Sequence, residues 1–436
     1  MTVCSRTLQF SSVFSKVLCA DFRGGNITSD AGALLLREAD RQMKFTSRLA
    51  ACITDPRDPD LIEHTILDML RQRVYAIALG YEDLNDFDTL RQDPLFQILA
   101  EKEGPLASPP TLCRFENRTS QPSLARMAEF LVDHFIASYD GRPAKLILDF
   151  DATEDELHGH QERSFFHGYY DCYCYLPLYV YCGDKLLLSY LRPSNIDAAM
   201  HAGPILKLLV KRLRAAWPGV QLILRGDSGF ARRRIMTYCE RNKVDYILGL
   251  ARNKRLESLS EPLMGEAKRR FDETQEKQRL FTRIEYKANS WKHPRRVIAK
   301  AEYGNKGENP RYIVTTLPGD ARELYEQEYC ARGEMENRIK EHQSELFGGR
   351  TSCHKFRANQ LRLLLVSAAY VLMEYIRSHA LKGTVLEQAQ CHTMRLKLMK
   401  IGARIVTSVR RIVLHLSGGY PYAELLTTAL ARLRSA

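Results

Sequence analysis

Apolar residues recur every three to four positions through the first 140 residues, and after that they form continuous or alternating runs. The first pattern predicts amphipathic helices, after an irregular or short β arm over 1–25. Ser29 and Asp30 are helix-capping residue types, placed where the first helix begins. The predicted helices of this mostly helical N-terminal domain (1–140) cover 29–40, 61–79, 94–103 and 122–139.

The pattern changes at residue 145, where short apolar runs bounded by turn residues predict strands. Three strands, a helix, and then a strand, a helix and a strand give the order of an α/β or α+β domain with a mixed sheet. The predicted strands cover 146–151, 170–182, 186–191, 221–227 and 245–250, with helices at about 198–216 and 232–242.

Residues 253–320 interrupt this order with β-prone segments separated by Asn, Gly and Pro, which predict a β-rich insertion. A long helix to about residue 345 and an apolar helix at 360–376 follow. The basic stretch 394–411 fits a strand and a helix equally well. The predicted divisions after the N-terminal domain are a first core part (141–252), the insertion (253–320), a second core part (321–380) and a basic C-terminal tail (381–436).

Composition narrows the class of protein. A hydrophobic content of 45% is that of a globular chain, and no apolar run is long enough to span a bilayer. With no secretory signal pattern, we expect a soluble cytoplasmic protein with no membrane partner, whose eleven irregularly spaced cysteines stay reduced. The net charge of +12 favours a polyanionic partner such as nucleic acid, although a merely basic enzyme would carry it too.

Acidic residues mark the ends of two predicted strands and one helix face. Asp149 and Asp151 project from the same strand face, because side chains alternate along a strand. Asp227 ends a later strand, and Glu336 lies on the predicted long helix. One face of that helix carries four polar residues at spacings of 3, 4 and 4, which is also typical of a solvated, salt-bridged face. These four residues are Tyr329, Arg332, Glu336 and Lys340.

Two strand-end aspartates and a helix glutamate suit two-metal phosphoryl chemistry. Carboxylates are the hard oxygen ligands that Mg²⁺ or Mn²⁺ prefers, so two such ions are the expected cofactors. Arg332 can bind a phosphate bidentately, while Lys340 offers a point charge and Tyr329 a hydrogen bond.

These motifs resemble those of the DDE transposases of bacterial insertion sequences, in the group whose helix carries Tyr-x2-Arg-x3-Glu. The resemblance implies an RNase H-like catalytic core with a β insertion, cleavage at terminal inverted repeats and strand transfer into target DNA. It also implies double-stranded DNA as partner, a homodimer in a synaptic complex and a nucleoid-associated place in the bacterial cytoplasm. The segments that carry the resemblance are 149–153, 167–173, 192–197, 225–230 and 329–340.

By this resemblance the catalytic, metal-binding carboxylates are Asp151, Asp227 and Glu336. Asp149 competes with Asp151 for the first position, since both lie on one strand face.

DNA contacts are implied for Tyr329, Arg332, Lys340 and Trp291. The wider group has a lysine seven residues after the glutamate, where this chain has Gln343, so Lys340 is its candidate replacement. In related enzymes an aromatic residue in the insertion holds a base flipped out of the DNA, and Trp291 fits that role or that of a partly buried strand residue.

Two other hypotheses fit parts of the chain. The segment 149–153 also resembles the opening motif of haloacid-dehalogenase-type phosphatases, with Asp149 as nucleophile, Asp151 as acid/base and Thr153 as helper. That family expects a second acidic residue where Ala231 stands. The other hypothesis is a DNA-binding protein without catalytic activity.

Overall fold

The computed structural model describes residues 7–435, which divide into two compact units. The first unit takes 1–120, 345–347 and 368–436, and the second takes 121–344 and 348–367. This division differs from the predicted domains at two places. The helix predicted at 122–139 belongs to the second unit, and the predicted C-terminal tail belongs to the same unit as the N-terminal helices.

Most strands of the chain lie between residues 145 and 315, with helices between some of them. The strands are β1 (Leu8–Val13), β2 (Lys16–Ala20), β3 (Ile27–Thr28), β4 (Lys145–Ala152), β5 (Asp155–Glu156), β6 (Phe165–His167), β7 (Cys172–Tyr175), β8 (Leu178–Cys182), β9 (Lys185–Tyr190), β10 (Gln221–Gly226), β11 (Asp245–Leu250), β12 (Gln278–Tyr286), β13 (Arg295–Gly304), β14 (Gly307–Glu308), β15 (Arg311–Thr315), β16 (Ala403–Thr407) and β17 (Ile412–Leu416). The helices are α1 (Leu34–Met43), α2 (Phe45–Ala50), α3 (Ile66–Leu79), α4 (Phe87–Leu90), α5 (Pro94–Ala100), α6 (Pro109–Arg118), α7 (Gln121–Ala137), α8 (Ala202–Ala216), α9 (Arg233–Arg241), α10 (Lys254–Thr274), α11 (Ala321–Glu323), α12 (Gly333–Lys340), α13 (Phe356–Tyr375), α14 (Cys391–Met394) and α15 (Ala423–Ser435).

The first unit is mainly helical, as predicted for the N-terminal residues. Its longest early helix, α3, starts with a capping box between Thr65 and Asp68 and ends at Gly80, whose positive φ suits a glycine. A three-stranded sheet in the order β17-β16-β3 joins residues that are far apart in sequence. This pairing is why the predicted tail is part of the first unit.

The second unit is built on one mixed sheet, which confirms the predicted α/β class. Its strands run in the order β12-β13-β15-β11-β10-β4-β8-β9, with β14 attached to β13. The strands β4, β10 and β11 are mutually parallel, and their neighbours are antiparallel.

Alternate residues of the central strands pack on opposite faces of this sheet. Leu222 and Leu224 belong to a large core with α7 to α10, whereas Ile223 belongs to a second core with Leu324 and Tyr325. The second core lies under the helical segment 321–345, named here the carboxylate helix. That segment was predicted as one long helix and is continuous, with α-helical, 3₁₀ and π-helical turns.

Two predictions for the second unit were wrong in detail. The single strand predicted at 170–182 is two strands, β7 and β8, separated by Leu176 and Pro177, because proline cannot donate to a strand ladder. The predicted β-rich insertion begins with the 21-residue helix α10, and its strands extend the main sheet through the pairing of β15 with β11. Within residues 7–435 no helix is both long and apolar enough to cross a membrane.

Candidate active site

Two parallel strands bring the strand-end aspartates side by side. In the register of β4 and β10, Asp149 is opposite Arg225 and Phe150 is opposite Gly226. Asp151 follows Phe150 and Asp227 follows Gly226, so the two aspartates lie side by side at the same end of the two strands. Their alternation places them on the face that packs against the carboxylate helix, as the sequence predicted for Asp149 and Asp151.

Asp149 is held in a buried ion pair with Arg225. The Arg225 guanidinium donates from Nε to Asp149 Oδ1 and from Nη2 to Oδ2, the latter at 2.7 Å. Its Nη1 donates to the carbonyl oxygen of Glu328 on the carboxylate helix at 2.6 Å. The two side chains are only 2% and 8% exposed. Burial raises the pKa of Asp149, and Arg225 opposes that rise.

Asp151 faces a different partner on the same helix. Arg332 donates from Nη1 to Asp151 Oδ2 at 3.2 Å and from Nη2 to Glu336 Oε1, so one guanidinium joins two carboxylates. Burial raises the pKa of Asp151 to about 7; Arg332 opposes this shift, and the negative charges of Asp227 and Glu336 add to it. The three predicted carboxylates therefore share one electrostatic environment.

Asp227 follows β10 and caps the next turn. Its Oδ1 accepts a hydrogen bond from the Gly229 N–H at 2.9 Å. Beside it lies a cavity of about 320 Å³ whose lining includes Tyr329, Arg252 and Arg311. Tyr329 lies at this cavity, and burial raises the pKa of its hydroxyl.

The donor set fits a divalent cation. Three carboxylates offer hard oxygen ligands. Burial is the main cause of the raised pKa of Asp151, and the charges of Asp227 and Glu336 add to it, so a cation bound here would favour the ionised carboxylate. Arg332 provides part of that neutralisation by bridging Asp151 and Glu336. Among residues 7–435, the ligand oxygens of the three side chains do not all lie within 4.8 Å of one another.

Lys340 and Gln343 occupy different surroundings. Lys340 is exposed at the end of α12. Gln343 Nε2 donates to the carbonyl oxygen of Glu154 at 3.0 Å and to Asp155 Oδ1 at 2.7 Å. Gln343 thus supports the chain that follows β4 instead of offering a positive charge.

Trp291 lies in the loop between β12 and β13 and is 5% exposed. Its ring packs edge-on against Tyr286 at 5.4 Å, and the Arg295 guanidinium lies 4.8 Å from its centroid. These contacts make Trp291 a core residue of the second unit here, with its ring turned away from solvent.

Sequence reasoning missed the partner of Asp149 and one neighbour of the carboxylates. Arg225 lies two residues before Asp227, just as Asp149 lies two residues before Asp151. This equal spacing could have indicated that Asp149 and Arg225 lie opposite each other when the two strands pair. Tyr170 had no signal, yet burial and then nearby carboxylates, Asp151 and Asp227 among them, raise its pKa.

Acidic side chains from two parallel strands and a facing helix thus come together, with an arginine between two of them. The family described as transposase DDE domain group 1 matches residues 10–436. The chain belongs to this family, and it is a transposase of the DDE type.

One solved structure gives a distant comparison. The cryo-electron microscopy structure of the piggyBac transposase synaptic complex with hairpin DNA is 13% identical, with a TM-score of 0.43. The match covers 86% of this chain and 80% of that chain. No curated protein matches the chain.

Proposed function

We propose that this transposase cleaves DNA at the terminal inverted repeats of a bacterial insertion sequence and joins the ends to target DNA. Asp151, Asp227 and Glu336 would hold two Mg²⁺ or Mn²⁺ ions. The observation that carries this proposal is the meeting of three elements at one place, where Arg332 joins Asp151 to Glu336 beside Asp227.

The fold supports an RNase H-like assignment for the core. The strands β9, β8, β4, β10 and β11 are adjacent in that order, which is 3-2-1-4-5 in chain sequence. The first and fourth strands of this set carry the two aspartates at their parallel ends. Open sheets with parallel strands present their functional residues at those carboxyl ends.

Each residue of the site has a role in this mechanism. Asp151, Asp227 and Glu336 would hold the metal ions, which would supply activation of the attacking water or 3′-hydroxyl and stabilisation of the leaving oxygen. Arg332, once released by the carboxylates, would bind two phosphate oxygens in its bidentate mode. Tyr329 donates a hydrogen bond at the edge of the cavity, and the exposed Lys340 adds a positive charge near the DNA.

Asp151 is the first carboxylate in this proposal, and Asp149 is a positioning residue. Asp149 has both oxygens bound to Arg225 and is buried, so it has no oxygen directed at a substrate. The same geometry argues against a phosphatase that uses Asp149 as nucleophile, because that carboxylate would have to reach a phosphorus atom.

The partners follow from the reaction. Double-stranded DNA is needed twice, as element end and as target, and a homodimer would bring two ends together in a synaptic complex. The site of action would be the nucleoid in the bacterial cytoplasm.

Cleavage of a labelled duplex that carries the element's own end, in Mg²⁺, tests the proposal. Wild type should nick at the end, while Asp151→Asn, Asp227→Asn and Glu336→Gln should bind the duplex without cutting it. Normal cutting by Glu336→Gln would remove the helix carboxylate from the site. Binding without cutting by wild type in both Mg²⁺ and Mn²⁺ would favour the inactive DNA-binding protein.

A further inference from the structure

The strands β16 and β17 form a ribbon that extends beyond their pairing with β3 and carries positive charge at its turn. Ala403 and Ile405 on one face are buried, which anchors the base of the ribbon in the first unit. The turn between the strands is exposed, and Val409 at its tip is fully solvent-accessible, at 104%. The ribbon is therefore fixed at one end and free at the other.

Three arginines are placed along this ribbon. Arg410 and Arg411 lie in the turn, and Arg404 lies on the outward face opposite His415. All three arginines are exposed, and within residues 7–435 none has a carboxylate oxygen within 4.0 Å. By contrast, Arg269 and Arg270, which are equally exposed on α10, both pair with Glu266.

The outward face also carries apolar side chains. Val406 and Val413 are directly opposite each other and are both exposed, next to the Arg404 and His415 pair. Unpaired arginines flanking an apolar strip are suited to a polyanion with apolar surface between its charges. Duplex DNA has that character, with phosphates along the rims of its grooves and base edges and thymine methyl groups on the floor.

We propose that the β16–β17 ribbon is a DNA-binding arm whose tip enters the major groove, with Arg404, Arg410 and Arg411 on the flanking phosphates. The major groove, about 12 Å wide, admits a two-stranded ribbon as it stands, whereas the minor groove, about 6 Å wide, must first be widened by deforming the DNA. This proposal rests on the proposed function for the identity of the polyanion, but it concerns binding and not the chemical step.

The turn does not depend on its arginine side chains. The Ser408 N–H donates to the Arg411 carbonyl oxygen at 2.8 Å, and the Arg411 N–H donates to Ser408 Oγ at 3.2 Å. Replacing the two guanidinium groups should therefore leave the ribbon folded. The test variant is Arg410→Gln with Arg411→Gln, and the matched control is Arg269→Gln with Arg270→Gln, which removes the same charge from another exposed surface.

Binding of the full chain to a fluorescent duplex of generic sequence, measured over a series of salt concentrations, tests the arm. Each lost phosphate contact lowers the slope of log K against log salt by about 0.9, so the test variant should lose about 1.8, and the control little. Equal losses in the two variants, or none in either, would overturn the proposal. Failure of wild type to cut the element end, with the slope loss of the test variant still present, would reject the proposed function and leave the arm in place, so the two failures are distinguishable.

The position of the tip is tested by photo-crosslinking. A benzoylphenylalanine in place of Val409 should crosslink to the duplex on illumination. The same group in place of Val385, which is 87% exposed in the same unit, should not. Absence of crosslinks from position 409 would overturn the arm.

A duplex with glucosylated cytosines, whose sugars fill the major groove, tests which groove the arm enters. It should abolish the binding advantage of wild type over the test variant. An unchanged advantage would overturn the major-groove placement.

Discussion

Asp149 and Asp151 lie two residues apart on one face of β4, and their surroundings differ. Arg225 engages both oxygens of Asp149, whereas Arg332 contacts one oxygen of Asp151. The first arrangement compensates a buried charge, and the second leaves a carboxylate with a pKa of about 7. Replacing Asp149 is therefore expected to affect stability, and replacing Asp151 is expected to affect cleavage.

Asp149→Asn should destabilise the protein, because it leaves the Arg225 guanidinium buried without its counter-charge. Loss of one partner of a buried pair costs about 3–5 kcal/mol of unfolding free energy. Asp151→Asn should leave that free energy close to wild type and abolish cleavage. Urea unfolding of both variants measures the difference. A stable Asp149→Asn protein that binds DNA but cannot cut it would instead make Asp149 the metal ligand.

Metal affinity should depend on pH through Asp151. Below about pH 7 its carboxyl is protonated in the metal-free protein, so an incoming ion must displace that proton. With one proton displaced, Mn²⁺ affinity should fall about tenfold per pH unit below that pKa and level off above it. Mn²⁺ titrations between about pH 6 and pH 8 measure this. A flat profile, or one retained by Asp151→Asn, would contradict it.

At the residue scale, the sequence predicted which side chains share a strand face, but not which side chains they contact. Alternation along a strand was enough to put Asp149 and Asp151 on one face. The choice between them needed the register of β4 against β10, which puts Arg225 opposite Asp149. For Trp291 the sequence left open a role in DNA binding or a partly buried place in a strand, and the choice depends on how a hairpin loop folds over the core.

At the scale of elements, the Asp149–Arg225 pair connects the three segments that carry the carboxylates. Asp149 is on β4, Arg225 is on β10, and the carbonyl of Glu328 is on the carboxylate helix. Asp149 and Arg225 lie two residues before Asp151 and Asp227, and Glu328 lies eight residues before Glu336 on the same helix. The pair is thus placed to fix the spacing of the site as well as to stabilise the unit.

The double replacement Asp149→Leu with Arg225→Met separates these two roles. Replacing both ions by apolar side chains of similar volume should recover most of the stability that either single change loses. If the pair positions the carboxylates, the double variant should be stable but should cleave DNA more slowly than wild type. It should also need more Mg²⁺ for half-maximal cleavage.

The control is the buried pair of Arg73 and Glu116 in the first unit, whose Nε–Oε1 distance is 3.1 Å. Arg73→Met with Glu116→Leu should leave the Mg²⁺ requirement unchanged. Wild-type cleavage by the Asp149→Leu, Arg225→Met protein would limit that pair to a role in stability.

Gly249 on β11 allows the close approach of two site elements. A Cβ there would lie 2.7 Å from the Tyr329 hydroxyl oxygen and 2.8 Å from the Ser228 nitrogen. Gly249→Ala should therefore displace Tyr329 or the turn after Asp227 and slow cleavage. Gly265→Ala, at an exposed position of α10 with no atom beyond the neighbouring helix backbone within 4 Å of the added carbon, should stabilise the protein by about 0.8–1.0 kcal/mol at unchanged cleavage. Equal cleavage rates in the two variants would argue against this tight packing.

Most strands of the second unit were predictable because their apolar runs are bounded by turn residues. The helix α10 was not, since it is rich in charge and contains Pro262, which interrupts the helical pattern. The stretch 394–411 was ambiguous because it contains a helix end and then β16. Local pattern does not resolve a change of structure within so few residues.

At the scale of the whole molecule, the sequence predicted the class of fold and the family but not the division of the chain. The first unit combines N-terminal helices with residues 368–436, because β3 pairs with β16 and Ala31 packs with Ile401 and Ala403. Such pairing leaves no periodic signal in either segment. The net charge of +12 predicted a polyanionic partner, which family membership supports, but it did not indicate which surface binds it.

The most direct measurement is Mn²⁺ binding to the wild-type protein and to single carboxylate variants, followed by electron paramagnetic resonance at neutral pH. We expect two bound ions in wild type and loss of at least one in Asp151→Asn, Asp227→Asn and Glu336→Gln. Glu334→Gln, an exposed change on the same helix, should keep both ions. If the three variants bind Mn²⁺ as wild type does, these carboxylates are not the metal ligands, and the proposed site is wrong.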